Sequence, residues 1–438
     1  MLKNIFILSF IVATRFFGLF IVLPVLSLYA LNLKGANDFL IGMLVGIYAL
    51  TQMLLQTPFG MLSDKIGRKK TMLFGLLIFI IGSLVCSFAS DIYMMIFGRL
   101  LQGSGAIGAV ATAMISDFVP EEKRGKAMAI MGSFIGISFA TSMLIAPIMS
   151  AKFGLSSLFD LSAILSFLCI ILLFAFLPKE TKIIHHNEKT PLLHLFKDKN
   201  LALMNLTNFM QKMLMSLAFL SIPIVLVKGF GIFKEDELYK VYILAMLAGF
   251  FAMGLAGSLG EKRGLSKQIL ILGVLFFILS YVLFVVCLLA NFSLSIANGV
   301  FIVAVVIFFI GFNLHEPIMQ SCASKFCKVN EKGVALGIFN SFGYCGSFIG
   351  GLLGGLFFNN FDILCIILAF FSIIWLILLC FLKNPSEFKN LYLSLDTKLN
   401  LNNQILGIVD IYKNTKYLVI KFDSKIINEI SLKEMLKI

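Results

Sequence analysis

Apolar residues run along this chain in long blocks, and the polar residues between them come in short bursts. Runs of about 20 residues, the length a hydrocarbon core demands of a helix, fall at 5–31, 39–61, 71–90, 92–117, 126–150 and 158–177. After a polar connector at 178–199, six more follow at 201–227, 237–259, 268–290, 296–323, 334–357 and 363–382. The pattern predicts an all-α membrane protein of 12 transmembrane helices in two six-helix bundles, 1–177 and 200–382. An even count puts both ends of the helical part on one side.

After Leu382 the period changes. Lys383-Asn-Pro385 ends the last span, since proline cannot continue a helix. Leu391, Leu393 and Leu395 then alternate, as do Val409 and Ile411, and Leu418, Ile420 and Phe422. Asn414-Thr415 reads as a hairpin turn between the latter two runs. Ser431-Leu-Lys-Glu434 fits a capping box, with Leu432, Met435 and Leu436 on one helical face. Residues 383–438 are thus expected to form a small cytoplasmic α+β module. A unit of that size is marginal alone and should dock on a partner surface.

Composition agrees with the pattern. The 438 residues are 59% hydrophobic and only 13% charged, and the mean hydropathy of +0.98 excludes an ordinary soluble protein. The net charge of +13 does not imply nucleic acid, because the cations sit in clusters between apolar runs. One side collects Lys65, Arg68, Lys69 and Lys70, then Lys123, Arg124 and Lys126, the connector lysines, Lys262, Arg263 and Lys267, and Lys325, Lys328 and Lys332. The other has little beyond Lys34, Lys152, Lys228, Lys234 and Lys240. The positive-inside rule makes the first side cytoplasmic, with both termini. The N-terminal run has no small-residue cleavage site and reads as a retained span.

The halves echo one another. Gly60…Asp64…Gly67-Arg68-Lys69 has a degraded counterpart in Gly257…Glu261…Gly264, and Glu121-Glu-Lys-Arg-Gly125 before span five resembles Asn330-Glu-Lys-Gly333 before span eleven. A duplicated bundle is expected. The eight cysteines show no C-x-x-C and read as small apolar residues. His185, His186 and His194 lie in the connector without a carboxylate or cysteine cluster, so a solvated linker is expected there rather than a metal site. No nucleophile-base pair or metal spacing suggests an enzyme, and no cofactor is implied.

A charge near the bilayer centre costs at least ~2.5 kcal/mol on insertion scales, which makes each intramembrane ionisable residue a functional candidate. Arg15 lies in span one, Arg99 in span four three residues before Gln102, Lys212 beside Gln211 in span seven, and His315-Glu316-Pro317 interrupts span ten. Glu316, inside the span, is the proton-active candidate, because a neutral carboxylic acid is cheaper there than its anion; a permanently hydrogen-bonded glutamate is the alternative. Lys212 and Arg15 could line a cavity or neutralise Glu316. Arg99 could pin helix register or act on a carboxylate. Packing suits His315, and a solvated helix end suits Asp160. The glycines of span eleven, Gly343, Gly346, Gly350, Gly351, Gly354 and Gly355, allow close packing and sliding of the bundles, or a dimer contact.

Gly60-Met-Leu-Ser-Asp64-Lys-Ile-Gly67-Arg68-Lys69-Lys70 resembles the signature between spans two and three of the major facilitator superfamily, G-x-L-x-D-x-x-G-R-K-x, at every defining position. Arg99-Leu-Leu-Gln102-Gly103-Ser-Gly105 resembles the span-four signature R-x-x-Q-G-x-G, which in drug-efflux members is associated with proton transfer. Where exporters show G-x-x-x-G-P-x-x-G-G in span five, Pro147 stays while serine and alanine replace glycines. The tail, through Gly407-Ile-Val-Asp-Ile-Tyr and the run from Tyr417 to Asn428, resembles the ferredoxin-like domain of YajR-type transporters, with a shortened first helix and no visible last strand. Related small folds bind copper through C-x-x-C, but this tail has no cysteine. The resemblance implies a drug:proton antiporter of the inner membrane, monomeric, moving small apolar compounds outward by alternating access with protons as partner. It also implies that Asp64, Arg68 and Asp117 form a charge triad at the cytoplasmic mouth, with Asp64 facing the start of span eleven near Gly333 in the outward-facing state. A uniporter or symporter of the same fold, and a membrane sensor read through the tail, are the alternatives.

Overall fold

A computed structural model describes residues 2–119, 121–177, 193–231, 233–290, 292–395, 397, 406–413 and 417–436. The connector histidines His185 and His186 and the Asn414-Thr415 turn lie outside the described residues. Twelve helical segments are long and apolar enough to cross a membrane: Lys3–Ala30, Asp38–Ile66, Arg68–Ser87, Ile92–Ile115, Ile130–Phe153, Leu155–Phe176, Lys199–Gly229, Glu235–Gly260, Ser266–Leu289, Leu294–Lys325, Lys332–Leu356 and Phe361–Glu387. They match the predicted runs one for one and are called spans one to twelve. Large apolar side chains such as Phe167, Phe251, Phe370 and Phe371 point outward, as a lipid-facing surface requires.

Spans one, four and ten are interrupted, and spans seven and eight each close in a π turn. Span one is a helix Leu2–Phe20 followed by Leu23–Ala30, broken where Pro24 cannot donate to the preceding turn. Its counterpart, span seven, runs as a helix over Lys199–Ile224 with Pro223 near its end and closes in a π turn, Val225–Gly229. Span four breaks between Ile92–Ser104 and Gly108–Phe118, and span ten between Leu294–His315 and Met319–Lys325, around Pro317. Departures from the α-helix in the first and fourth spans of both halves are what a duplicated bundle leaves behind.

The bundles meet along spans two and eleven. A Cβ on Gly42 or Gly46 would collide with the backbone of Gly351, Gly355 or Phe348, and one on Gly346 or Gly350 with the backbone of Phe209 or Met213 in span seven. Span eleven therefore uses one edge of its glycine stripe within its own bundle and the other across the seam. The seam is closed at the end away from the basic loops, where Asn359 Nδ2 donates to Asp38 Oδ2 at 2.6 Å. Towards the basic end the bundles part: a Cβ on Gly132, Gly333 or Gly337 would meet nothing within 4 Å. A cavity between the bundles thus opens to the basic side.

Beyond span twelve, strands β1 (Phe388–Leu393), β2 (Ile408–Lys413) and β3 (Leu418–Asp423) form an antiparallel sheet in the order β1-β3-β2, with Leu391 opposite Ile420. This is the order of a ferredoxin-like sheet without its fourth strand. The alternation read from the sequence holds in β1 and β3, where Leu391, Leu393, Leu418, Ile420 and Phe422 form a core with Leu432 and Leu436 of the helix Glu429–Leu436; it fails at Leu395, which is exposed beyond β1, and in β2, where a bulge between Ile408 and Asp410 puts Ile408 rather than Val409 with Ile411 on that core. The capping box does not hold. Asn428 Oδ1 accepts from Ser431 N at 2.7 Å, so the cap falls three residues earlier and Met435 is exposed. Strand β3 is buried on both faces, and its second face explains the docking that a unit of this size requires. There Lys421 Nζ donates to Cys327 O at 2.7 Å, Asp410 of β2 accepts from Val329 N at 2.8 Å, and Phe388 packs edge-on against Phe326. The module is seated on the segment that leads into span eleven.

Candidate functional site

At the basic mouth, Gly67 adopts φ 99° between spans two and three, a backbone that side-chain-bearing residues rarely take. That turn swings Arg68 back over the end of span two. Its guanidinium reaches Asp64 at 2.6 Å and Asp117, at the end of span four, at 3.1 Å, and it also bonds Ser63 Oγ. The expected triad is assembled within the first bundle. Its arginine is buried while half of the Asp64 side chain is exposed, at 48%. A planar guanidinium with several donors suits two carboxylates at once. Gly60 sits one turn before the triad and helps it indirectly, since its carbonyl accepts from Ser63 Oγ.

Arg15 and Arg99 are both fully buried. Arg15 Nη2 donates at 2.9 Å to Gly105 O, a carbonyl at the break in span four that also accepts from Ile107 N. Arg99 Nη1 donates to Gln102 Oε1 at 2.9 Å, and Gln102 Nε2 to Ser83 Oγ at 2.8 Å. The tyrosine ring of Tyr48 lies between the two cations, 5.4 Å from the Arg15 and 4.9 Å from the Arg99 guanidinium carbon, within cation–π range. Close approach depends on Gly103, where any Cβ would strike the Thr51 hydroxyl and the Tyr48 carbonyl. Gln52 locks the same corner by donating to Gly103 O at 2.6 Å.

In the second bundle, Lys212 Nζ bridges both oxygens of Glu316 at 2.9 and 3.1 Å. Gln211 Nε2 adds a third donor at 3.2 Å, and the ammonium sits 5.0 Å over the Phe312 ring. Of the two uses open to Lys212, the structure shows the counter-ion: its ammonium pairs with Glu316. The pair is open to the cavity, with 25% of the lysine and 40% of the glutamate side chain exposed. The two uses left open for Lys212 and Arg15 are thereby divided. Lys212 neutralises Glu316, and Arg15 serves the span-four break. His315 is buried against Phe277 and Trp375 with Nε2 on Leu270 O at 2.8 Å, the packing role expected of it. Asp160 accepts from Ser87 Oγ at 2.6 Å.

Tyr48, Gln52 and Lys421 were not among the expected residues. An aromatic or amide in an apolar run and a lysine in a strand carry no local mark of a partner far away in the chain. Among the described residues no group of histidine, cysteine and carboxylate side chains is placed to hold a metal ion.

The family model for the Major Facilitator Superfamily matches residues 8–350 and 241–403. The chain is 32% identical over 447 residues to the inner membrane transport protein YajR of Escherichia coli, covering 98% of this chain and 96% of that protein. It is 26% identical to the quinolone resistance protein NorA of Staphylococcus aureus, over 82% of this chain and 90% of that one. Among solved structures, a D-xylose-proton symporter superposes with a TM-score of 0.72 at 13% identity, covering 88% of this chain and 98% of its own.

Proposed function

The chain belongs to the major facilitator superfamily, and from that premise we propose that it is a proton-coupled antiporter expelling small, largely apolar compounds by alternating access, here open to the cytoplasm. The observation that carries this reading is the Lys212–Glu316 pair on the cavity wall at the break in span ten. A carboxylate there is reachable by protons and by cargo but never by both at full strength. When a proton neutralises Glu316, the ammonium loses its partner; when the proton leaves, the pair re-forms. The two states differ in local charge, and cargo that favours one of them is thereby coupled to the proton. The electrical part of the proton gradient contributes ~2.3 kcal/mol per charge per 100 mV.

The basic mouth acts as the gate. In this reading the basic side is cytoplasmic, and the Arg68 clamp holds Asp64 ready to meet the positive N-terminal end of span eleven when the cavity turns outward. The present separation of Gly333 from any neighbour within 4 Å is what the cytoplasm-open state requires. NorA, by its name, concerns quinolone resistance, which supports efflux as the direction.

The test is reconstitution in liposomes containing a pH-sensitive dye, with a panel of neutral, cationic and acidic hydrophobic compounds added to the full chain. At least one compound should move protons in the opposite sense to itself. A panel without any proton movement would contradict the antiporter reading. The seating of the tail on the segment before span eleven favours a second reading, a sensor. Removing residues 386–438 should leave measurable flux in a transporter and abolish all output in a sensor.

A further inference from the structure

The charges of the first bundle do not balance. The five acids whose side chains are described there stand at the bundle's ends. Asp38 meets Asn359, Asp64 and Asp117 meet Arg68, Asp91 caps its own helix, and Asp160 meets Ser87. Among the described residues the two fully buried cations, Arg15 and Arg99, meet a carbonyl and an amide rather than a carboxylate, and the titratable groups whose charge reaches Arg99 are Cys86, Tyr48 and Arg15. Donors are left over as well. Arg99 Nε and Nη2, Arg15 Nε and the Tyr48 hydroxyl are all buried without a hydrogen-bond partner. A guanidinium can only donate, and a buried charge without an opposite one is costly, so this corner calls for an acceptor carrying negative charge.

The corner lies against the seam. Tyr48 is on span two, the span that packs on span eleven, and Tyr344 of span eleven is close enough to feel the charge of Tyr48 and Arg15. Below that level the bundles part. The corner itself is buried, with Arg15, Arg99 and Tyr48 at most 2% exposed, so a ligand reaches it only when the packing of spans two and eleven loosens.

We propose that Arg15, Arg99 and the Tyr48 hydroxyl form a sealed anion site between spans one, two and four, which takes a small monovalent anion, either a halide ion or the carboxylate of a carried organic acid. With the Lys212–Glu316 pair neutral as a whole, Arg15 and Arg99 bring the sum of these four intramembrane charges to two positive charges. The site selects against cationic cargo. The inference rests on the transporter reading for the use the anion is put to, but the binding itself does not depend on transport.

The experiment is chloride-35 NMR on the purified full chain in detergent, in a chloride-free Tris-sulfate buffer, titrated with sodium chloride and then with sodium benzoate. Chloride should show excess line width that saturates. Tyr48→Phe, which keeps the ring and removes one donor, should weaken the affinity about tenfold, and Arg99→Gln should abolish the broadening while the protein still elutes as a folded species. Displacement of chloride by benzoate assigns the site to organic acids as well; broadening unaffected by benzoate assigns it to inorganic anions. Saturable benzoate binding without chloride broadening supports the acid alone. The proposal is overturned if neither anion binds, in which case water meets these donors, or if Tyr48→Phe and Arg99→Gln bind as the unaltered chain does. Because no gradient is involved, proton-coupled flux without anion binding would sink this site and leave the antiporter standing, and the reverse result would do the opposite.

Discussion

Spans one and four hold Arg15 and Arg99; their counterparts in the second half, spans seven and ten, hold Lys212 and Glu316. The scaffold is the same, down to the irregular first and fourth spans, yet the electrostatics are opposite. In the first half two cations are sealed around Tyr48 with a carbonyl and an amide as their partners. In the second, a cation and an anion cancel and stay open to the cavity. In both halves the charges sit close to helix breaks, Arg15 and Arg99 at that of span four and Lys212 and Glu316 at that of span ten. Divergence then made one half a fixed positive field and the other a pair that can open and close.

The largest predicted effect breaks the second half of that contrast. Lys212→Met leaves Glu316 with Gln211 as its remaining donor and should reduce proton-driven flux about 100-fold, because the pair whose opening and closing couples cargo to the proton no longer forms. Flux in liposomes at matched protein density measures this, and a Lys212→Arg variant should recover part of it. Next comes the gate, which belongs to neither charged pair. Asp64→Asn keeps the size of the side chain and removes its charge, and turnover should fall about tenfold with membrane insertion unchanged, by one charge-assisted hydrogen bond. Normal turnover in that variant would count against the clamp.

A smaller effect is expected where the halves touch. Gly351→Leu places a side chain against the backbone of Gly42 and Gly46 and should pry the seam open. Distances between spin labels placed on spans two and eleven, at the end away from the basic loops, should lengthen, with a severalfold shift in populations; unchanged distances would show that the seam is not tightly closed.

The smallest concerns the tail. Burial holds the Lys421 ammonium down to about 8 from its ordinary value of 10.5, with Lys332 and Lys325 pushing the same way and Cys327 and Asp410 opposing. Below about 8 the lysine is charged whether docked or free, and docking bears the full cost of burying that charge. As pH rises from about 8 towards 10.5 the docked amine is neutral while a free one is still charged, so the cost is relieved and docking strengthens. Hydrogen exchange of β3 amides, corrected for intrinsic rates, should slow over that window in the full chain and not in Lys421→Met.

Much of this was legible in the sequence because membranes make certain residues expensive. Twelve spans follow from apolar length, the Arg99–Gln102 bond joins residues three apart on one helix, and the Asp64–Arg68 bond closes across the Gly67 turn between two helices. What could not be read was pairing across the chain. Lys212 lies 104 residues from Glu316, and the sequence offers Arg15 equally as the glutamate's counter-ion. Tyr48 gives no sign at all, since an aromatic in an apolar run is unremarkable until two guanidiniums close on it. The capping box at Ser431 was misread because Asn428, a better cap, stands just upstream of it.

The most direct test of the central claim compares Glu316→Gln with the unaltered chain in two assays on the same proteoliposomes: transport driven by a pH gradient, and exchange of labelled for unlabelled cargo with no gradient. If Glu316 is the coupling acid, the amide variant should lose gradient-driven transport and keep exchange within about threefold, since its site stays permanently in the neutral form. Gradient-driven transport that survives the substitution would contradict the account and move the coupling elsewhere, with Asp117 the next carboxylate to examine.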